Sequence, residues 1–448
     1  MKHNVTIVGA GLCGSLLAIT LAQRGMKVRV FEKRRDARKH GIYGGRSINL
    51  ALSDRGLAGL HLAGLENEVR EISIPMKGRK IHGTDHSLHF LPYSGRNTEW
   101  INSISRQALN HKMLDKLDAY ENVDVYFEYE CADIDIKTNT VNFSTINGEI
   151  KVQSDVIFGT DGANSAVRQA YMRHSAAYQF NYSQHFLEAG YKELEMPPSV
   201  DGGFRIDKNA LHIWPRKGIM MIALPNLDGS FTVTLFMPLK GDNSFEKLKT
   251  RQDVEVFFKS YFPDALEHMP DVVDDFFTNP TSSLHTVKCF PWQLEGKMVL
   301  LGDAAHAVVP FYGQGMNASF EDVLVLNQIL DNNPIQQNWE KILDEFQIKR
   351  KKNTDAIADL AVDNFYEMRD ATANPVFLRK REIEVYLEQN YPNYYSKYSM
   401  VTFREDLSYY DAMVKGRNQD KILMDYASKL RPNDQINYEE IIRILADV

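Results

Sequence analysis

Residues 5–32 constrain the fold of this chain more than any other stretch. A short apolar run stops at Gly9, and the residues from there on read G-A-G-L-C-G, which fits the pattern G-x-G-x-x-G. In a dinucleotide-binding unit, Gly9 allows the tight turn, Gly11 lets the backbone approach a pyrophosphate, and Gly14 lets helix and strand pack closely. The phosphates then lie at a helix N-terminus, where free N–H groups and the helix dipole favour an anion.

The residues that follow complete the same unit. Apolar residues continue as a helix that Arg24 and Gly25 close, and a second strand ends at Glu32. A carboxylate about 20 residues past the glycines can accept a hydrogen bond from a ribose hydroxyl. Glycine-rich turns also occur as plain loops. The strand before the turn, the helix after it and the acid at this distance together favour a Rossmann-type nucleotide site.

The composition bounds the class of protein. With 448 residues, of which 44% are hydrophobic, the chain can bury a large core, and its length predicts two or three domains. The net charge of −7 leaves no surplus of basic residues for a nucleic-acid partner. The basic run Lys33, Arg34 and Arg35 is compatible with a 2′-phosphate contact, although a solvated turn after the second strand is the favoured interpretation.

The cysteines and the lengths of the apolar runs indicate where in the cell the protein resides. Cys13, Cys131 and Cys289 are odd in number and far apart, which is typical of free thiols in a reducing compartment. No stretch reaches the roughly 20 apolar residues that a membrane span requires, and the first apolar run is too short for a signal peptide. The sequence therefore predicts a soluble cytoplasmic protein without a membrane anchor.

The segment after Glu32 contains further candidate ligands. Arg46 and Ser47 lie in a glycine-rich stretch, where they either face a cofactor or belong to a surface loop. Residues 75–93 alternate in polarity, which predicts a hairpin.

Three histidines, His82, His86 and His89, crowd this predicted hairpin. Their spacing fits no standard zinc pattern and no cysteine accompanies them, so we interpret them as solvent-facing strand positions and predict no metal site.

A second glycine–acid motif follows later in the chain. A helix over 107–117 and a strand over 123–127 continue the nucleotide domain, and a further strand ends at Gly159 ahead of Asp161. Between about 185 and 287 the apolar period changes to two, which predicts a separate antiparallel sheet inserted into that domain.

The third motif is the most specific. A buried strand ends at Gly302 and Asp303, and Gly313 and Gly315 then permit the backbone to approach a flat ligand. The helix after these glycines presents its N–H groups to a negative ring edge. A histidine in an alanine-rich turn is more often structural than catalytic, so we interpret His306 as structural.

These three motifs, in this order, resemble the flavoprotein aromatic hydroxylases with the para-hydroxybenzoate hydroxylase fold. The resemblance implies a bound FAD whose ADP part lies on the first motif, with Arg106 beside the phosphates and Asp303 at the ribityl chain. It implies that Asp161 couples FAD binding to NADPH binding. The cofactor residues that it predicts are Gly9, Gly11, Gly14, Glu32, Arg106, Asp161, Asp303, Gly315, Met316 and Asn317.

The predicted fold is therefore of the α/β class, with a Rossmann-type FAD-binding domain, an inserted antiparallel-sheet substrate domain and a C-terminal helical region. The FAD-binding domain covers 1–178 and continues over 288–365, and the 75–97 hairpin contributes to the substrate site. The antiparallel-sheet substrate domain covers 179–287. The C-terminal helical region covers 366–448.

Longer runs resemble the kynurenine-hydroxylating branch of that family over nearly the whole chain. They are G-R-S-I-N-L-A-L at 45–52, L-H-I-W-P-R at 211–216, M-M-I-A-L-P-N at 220–226, T-L-F-M-P at 234–238 and G-Q-G-M-N at 313–317. This resemblance implies that the chain hydroxylates L-kynurenine to 3-hydroxy-L-kynurenine with NADPH and O2, in tryptophan degradation.

The same resemblance assigns the substrate site. The kynurenine carboxylate site falls on four residues that offer hydrogen-bond donors, namely Arg79, Tyr93, Asn364 and Tyr398. The ring pocket falls on Phe236, Pro310, Phe311 and Gln314. The sequence departs from the family pattern at Tyr312, where a second phenylalanine is expected, and by one extra residue after Tyr93.

The chemistry predicts no catalytic acid–base pair in the protein. Reduced FAD can carry oxygen as a peroxide, and an aromatic amine directs electron density to its ortho carbon, so the protein supplies orientation and a dry cavity. A nicotinamide dehydrogenase would use Glu32 and the first turn but has no use for the later motifs. Another aromatic hydroxylase, or a non-catalytic escort-type binding protein on the same fold, remains the alternative.

Overall fold

The computed structural model describes residues 4–40, 49–333, 338–371, 374–431 and 434–446. Arg46 and Ser47, and with them residues 45–48 of the first long run, lie outside this part of the chain. The strands in the described part are β1 Asn4–Val8, β2 Lys27–Glu32, β3 Asn49–Leu52, β4 Ile74–Met76, β5 Gly78–His82, β6 Leu88–Pro92, β7 Ile101–Ser105, β8 Val123–Phe127, β9 Glu130–Asp135, β10 Thr140–Thr145, β11 Gly148–Gln153, β12 Val156–Gly159, β13 Asn181–Met196, β14 Ala210–Arg216, β15 Ile219–Pro225, β16 Phe231–Pro238, β17 Thr281–Phe290, β18 Gln293–Leu294 and β19 Met298–Leu300.

The helices alternate with the strands in the first three quarters of the chain and follow one another in the last quarter. They are α1 Leu12–Gln23, α2 Ala37–His40, α3 Asp54–Leu62, α4 Glu66–Glu71, α5 Arg106–Leu117, α6 Ala166–Arg173, α7 Ser175–Tyr178, α8 Arg251–Tyr261, α9 Pro263–Leu266, α10 Val272–Thr278, α11 Asp303–His306, α12 Gly315–Asn332, α13 Trp339–Tyr366, α14 Pro375–Asn390, α15 Lys397–Phe403, α16 Tyr409–Lys429 and α17 Tyr438–Ala446. Short 3₁₀ turns cover Phe245–Lys247 and Pro310–Tyr312, and a π-helical turn covers Glu367–Ala371.

A six-stranded sheet in the order β18-β19-β12-β1-β2-β8 forms the centre of the nucleotide domain. β1 pairs in parallel with both β2 and β12, and β12 pairs in parallel with β19. The carboxyl ends of parallel strands meet at one edge of a sheet, so this order brings the three glycine-containing motifs together. The strands predicted around the motifs are confirmed.

A second sheet has seven strands in the order β17-β13-β16-β15-β14-β5-β6. The strands from β13 to β17 pair in antiparallel fashion, as the period of two predicts. The predicted hairpin forms from β5 and β6, and it joins the sheet through a parallel pairing of β5 with β14. The sheet is therefore mixed, and the hairpin extends it.

The two faces of the seven-stranded sheet have different neighbours. One face packs against α8, α9 and α10 through a cluster that includes Trp214, Phe231 and Phe258. The other face contributes Ile213 and Phe236 to a cluster with residues of α13, α15 and α16. This second face lies toward the main cavity described below.

The last quarter of the chain is helical, as predicted. Among the described helices there is none long and apolar enough to cross a membrane. The division of the chain at 178, 287 and 365 stays a prediction.

The interpretation of His82 as a solvent-facing residue is wrong. The side chain is buried between β5, β14 and α9, where Nδ1 lies 3.1 Å from Asp264 Oδ2 and Nε2 lies 2.8 Å from His212 Nδ1. His86 and His89 are exposed, as predicted. Within the described residues, no group of three or more acidic, histidine or cysteine side chains is placed to hold a metal ion.

Candidate active site

A cavity of about 270 Å³ lies between the ends of the six-stranded sheet and one face of the seven-stranded sheet. It extends from the glycine turn at one end to an arginine and two tyrosines at the other. The predicted site residues that line it are Gly11, Arg79, Tyr93, Arg106, Phe236, Asp303, Pro310, Phe311, Gly315, Met316 and Tyr398. The structure therefore brings residues from both predicted subsites into one cavity.

The glycine turn is shaped for a ligand at one position and for close packing at the two others. Gly9 has a φ of +103°, and a Cβ on Gly14 would lie 2.0 Å from the Gly9 carbonyl oxygen. A Cβ on Gly11, in contrast, would have no described atom within 4 Å, and Gly11 lines the cavity. The N-terminus of α1 therefore offers free N–H groups beside open space, which suits a pyrophosphate.

The acid at the end of β2 lies against this turn. Glu32 Oε2 accepts a hydrogen bond of 3.0 Å from the Ala10 N–H, and Oε1 accepts one from the Arg34 N–H. A carboxylate has further acceptor capacity beyond these two bonds, so Glu32 can still bind a ribose hydroxyl.

The other two acids have different surroundings. Asp303 begins α11 and lines the cavity. Asp161 is partly buried, and its Oδ2 accepts hydrogen bonds from the N–H groups of Ala166 and Val167 at the start of α6. Burial raises the pKa of Asp161, although these hydrogen bonds act in the opposite direction. Its neighbour Gly162, rather than Asp161 itself, is in the cavity lining.

A buried ionic network supports the third motif from behind. Asp322 accepts a hydrogen bond of 2.9 Å from the Gly302 N–H, and it also pairs with His306 at 2.5 Å and with Arg350 at 2.7 Å. Although burial acts in the opposite direction, His306 and Arg350 hold the pKa of Asp322 below its usual value. His306 is 3% exposed and lies outside the cavity lining, which agrees with the prediction that it is structural.

An arginine and a stack of tyrosines close the far end of the cavity. The Arg79 guanidinium lies 4.9 Å from the ring centre of Tyr398 and 5.5 Å from that of Tyr93, and these two rings stack at 5.1 Å. Within the described residues, Arg79 Nε and the Tyr93 hydroxyl are buried without hydrogen-bond partners, and no carboxylate forms an ion pair with Arg79. A buried unpaired donor set of this kind suits an anionic ligand.

Aromatic side chains form the adjacent part of the wall. Phe236 on β16 packs against Phe311 with ring centres 4.9 Å apart, and Phe311 packs against Phe365 of α13 at 4.4 Å. Pro310 lines the same part of the cavity. This wall is apolar and well packed, so it can hold a flat ring and exclude water.

Several predicted residues lie behind the wall of this cavity. Gln314 accepts a hydrogen bond of 2.9 Å from the Tyr409 hydroxyl, and Asn317 donates to the carbonyl oxygens of Ala51 and Gly313. Asn364 lines a second cavity beyond Tyr398 instead of the main one. The glycine turn is shaped by three residues that are not part of the lining, namely Gly9, Gly14 and Glu32. For all of these predicted site residues, contact with a ligand stays a prediction.

One charged pair beside the cavity was not predicted. Glu193 on β13 lies near Arg106, the first residue of α5. Partial burial raises the pKa of Glu193 to about 7, and Arg106 acts in the opposite direction.

Apolar strand residues that were not predicted also form part of the lining, namely Leu50, Ala51, Ile101, Leu211, Ile222 and Leu224. Three of them belong to the runs at 211–216 and 220–226. The alternation of residues within those runs could have predicted which side chains face the cavity.

The chain is similar to known proteins over nearly its whole length. Residues 2–361 match the model of the FAD binding domain family. The kynurenine 3-monooxygenase of Christiangramia forsetii is 46% identical over 432 residues, which cover 96% of this chain and 94% of that protein. The enzyme of the same name from Dictyostelium discoideum is 45% identical over 458 aligned positions, covering 100% and 97%. That of Flavobacterium johnsoniae is 48% identical over 423, covering 94% and 93%.

Solved structures with low sequence identity share the fold. The tetrameric form of 2-methyl-3-hydroxypyridine-5-carboxylic acid oxygenase superimposes with a TM-score of 0.67 at 21% identity, covering 86% of this chain and 97% of that chain. Pseudomonas aeruginosa PqsL, solved with 2-aminobenzoylacetate, gives 0.66 at 20% identity, covering 83% and 97%. These similarities support the two-sheet architecture with a helical C-terminal region.

Proposed function

The chain belongs to the kynurenine 3-monooxygenases within the FAD binding domain family, and on this premise we propose that it hydroxylates L-kynurenine to 3-hydroxy-L-kynurenine. The reaction uses bound FAD, NADPH as the reductant and O2. The observation that carries the proposal is one cavity that joins a nucleotide-binding turn, across an apolar wall, to an arginine whose buried Nε has no partner among the described residues.

The residues fit FAD at the nucleotide end of the cavity. Open space beside Gly11, the free N–H groups of α1, and Glu32 at the end of β2 suit the ADP part. Asp303 and the N-terminus of α12 at Gly315 and Met316 suit the rest of the cofactor. When FAD is bound and reduced, it supplies the activated oxygen for the hydroxylation.

The residues at the other end bind and orient the substrate. Arg79 can grip a carboxylate with two parallel hydrogen bonds, and Tyr93 and Tyr398 surround it. Phe236 and Phe311 then hold the aminoaryl ring and keep water away from it. The aromatic amine of kynurenine already directs electron density to the ortho carbon, so the reaction needs no catalytic acid or base from the protein.

The alternatives are not favoured. The three relatives described above match nearly the full length of this chain, and all three are kynurenine 3-monooxygenases, which favours this reaction over another hydroxylase or a non-catalytic escort-type protein. A cytoplasmic location remains part of the proposal, and the free thiols Cys13, Cys131 and Cys289 support it.

The test is NADPH oxidation by the FAD-loaded protein, measured with and without L-kynurenine, with the product identified by mass. We expect L-kynurenine to accelerate flavin reduction and to be converted to a product heavier by one oxygen atom. Equal rates of flavin reduction with and without L-kynurenine, or recovery of only unmodified L-kynurenine, would overturn the proposal.

A further inference from the structure

Tyr312 carries a buried hydroxyl that the proposed function leaves unused. The residue is 4% exposed and lines both the main cavity and the second cavity beyond Tyr398. Its ring stacks on Tyr398 with centres 5.5 Å apart, which fixes its direction. Among the described residues, no group forms a hydrogen bond with its hydroxyl. Buried polar groups in native proteins are rarely left in this state, so the hydroxyl indicates a ligand.

The second cavity is small, and most of the side chains that line it carry polar groups. Its volume is about 20 Å³, which holds one water-sized group. An ammonium group has the same size. Arg79, Tyr93, Tyr312 and Tyr398 line both cavities and so form the wall between them.

The charged groups behind this wall neutralise one another. Arg381 pairs with Glu384 at 2.7 Å. Lys380, which also lines the cavity, lies 3.1 Å from Glu384 and 2.5 Å from Asp420. Lys397 pairs with Asp420 and lies 3.6 Å from Glu367, so three cations face three carboxylates. Burial raises the pKa of Tyr312, with Lys397 opposing this effect and Glu367 adding to it, so the hydroxyl is neutral and lies among balanced charges. A ligand in this cavity is therefore recognised by hydrogen bonds more than by net charge.

Asn364 adds a second acceptor. Its Nδ2 donates to the Phe311 carbonyl oxygen at 2.6 Å and to Met368 Sδ at 3.3 Å, which uses both hydrogens of the amide. Because a carbonyl oxygen can only accept, this contact also fixes which way the amide points. The group that Asn364 has left for a ligand is its oxygen, and this differs from the donor role predicted from the sequence.

Resting on the proposed function, we propose that Tyr312 and Asn364 form a subsite for the α-ammonium group of the substrate. An ammonium group has three donors and no acceptor, so it complements the Tyr312 Oη and the Asn364 Oδ1. In an α-amino acid the carboxylate and the ammonium group share one carbon atom. A carboxylate on Arg79 therefore brings the ammonium group to the shared wall. In this chain Tyr312 adds selectivity for a zwitterionic end over a plain carboxylate.

The test compares two ligands on two proteins, all loaded with FAD. Dissociation constants are measured for L-kynurenine and for its des-amino analogue, with the wild type and with Tyr312→Phe. We expect Tyr312→Phe to raise the dissociation constant of L-kynurenine about ten-fold, because a hydrogen bond to a charged group is lost. The dissociation constant of the analogue should change less than about two-fold. Tyr93→Phe is the matched control, because it removes a hydroxyl on the carboxylate side. It should raise the dissociation constants of both ligands by the same factor.

The wild type must also bind L-kynurenine at least about ten-fold more tightly than the analogue. This comparison needs no variant, so it holds even if Tyr312→Phe folds poorly. Equal weakening of both ligands by Tyr312→Phe, or no weakening of either, would show that the ammonium group is bound elsewhere. Formation of the hydroxylated product by the wild type tests the proposed function separately from this outcome.

Discussion

A guanidinium group carries five N–H donors, and the groups around those donors distinguish Arg79 from Arg55. Arg55 is 1% exposed, and it donates to Glu321 and to the carbonyl oxygens of Val401, Arg404 and Leu407. Arg79 has a buried Nε with no partner in the described chain. The first arginine holds the fold together, and the second is available to a ligand.

Replacing Arg79 tests the carboxylate site. We expect Arg79→Ala to weaken the binding of L-kynurenine by about ten-fold or more, because a hydrogen bond to a charged group contributes roughly 1.5–3 kcal/mol to the binding free energy. The measurements are the dissociation constant, the FAD content and the thermal midpoint, and the last two should hardly change. Lys80→Ala is the matched control, because Lys80 is the next residue on β5 and pairs with Asp207 at 2.7 Å. Unaltered affinity in Arg79→Ala would place the carboxylate elsewhere.

The carboxyl group of Glu193 gives a pH-dependent prediction. Partial burial raises its pKa from 4.5 to about 7 in the folded protein, despite Arg106. A carboxyl group that binds its proton more tightly in the folded state than in the unfolded state makes its full contribution to the free energy of unfolding below pH 4.5. This contribution is lost as the pH rises to about 7. The wild type should therefore lose stability relative to Glu193→Gln over this window.

Thermal midpoints of the wild type and Glu193→Gln, taken at several pH values between these limits, check this prediction. Glu188→Gln removes a carboxylate from an exposed position of β13 and serves as the control. A constant difference between the wild type and Glu193→Gln across the window would contradict the expectation.

At the scale of secondary-structure elements, the cofactor end is built from strand ends and helix beginnings. β1, β12 and β19 run in parallel, so their carboxyl ends place Gly9, Asp161 and Gly302 at the same edge. Two helices, α1 and α12, begin beside this edge. Their first N–H groups have no carbonyl partner inside the helix, which makes this edge suitable for a phosphate and for an electron-rich ring.

Two substitutions in the first turn separate packing from ligand approach. Gly11→Ala places a methyl group where no described atom lies within 4 Å, so the apoprotein should keep its thermal midpoint while FAD binds at least about ten-fold more weakly. Gly14→Ala places the methyl group 2.0 Å from the Gly9 carbonyl oxygen and 2.5 Å from Thr160 Oγ1. It should destabilise the apoprotein by about 1–3 kcal/mol.

Both variants are compared with the wild type as apoproteins, because bound FAD would itself raise the midpoint. FAD content is read from the visible absorption spectrum after reconstitution. If the Gly11→Ala protein keeps full affinity for FAD, the pyrophosphate does not approach the backbone at position 11.

At the scale of the whole molecule, buried ion pairs join the C-terminal helices to one another, and hydrogen bonds from a buried arginine join them to the nucleotide domain. Asp420 of α16 pairs with Lys380 of α14 at 2.5 Å and also with Lys397 of α15. Arg55 of α3 binds the last carbonyl oxygens of α15. Because α15 carries Tyr398, these contacts connect the substrate end of the cavity to the rest of the chain.

Removing the charge of Asp420 should destabilise this region. Asp420→Asn leaves two largely buried lysines with one acid fewer, and breaking a buried pair in this way costs about 3 kcal/mol. Asp425→Asn on the same helix is the control, because Asp425 and Lys429 are exposed and such pairs contribute only about 0.3–0.5 kcal/mol. Urea unfolding measured by far-UV circular dichroism should show a clearly larger loss for Asp420→Asn, and similar losses would count against this role.

The sequence by itself determined the features that depend on neighbouring residues. The turn at Gly9, the ends of β1 and β2, the hairpin of β5 and β6, and the change of period near 185 all follow from local geometry and alternation. The motifs that carry the family resemblance are of the same kind, since each occupies one short stretch. For this reason the fold class and the reaction could be predicted before any contact was known.

Tertiary structure decided the features that depend on residues far apart in the chain. His82 is buried because Asp264, 182 residues later, lies against it, and no local pattern contains that information. The amide of Asn364 donates to the carbonyl oxygen of Phe311, which lies 53 residues earlier in the chain. Packing buries the Tyr312 hydroxyl without a hydrogen-bond partner in the described part of the chain, and no local pattern predicts this. Hydrogen-bond partners of buried groups are set by how elements pack, and packing is a property of the whole chain.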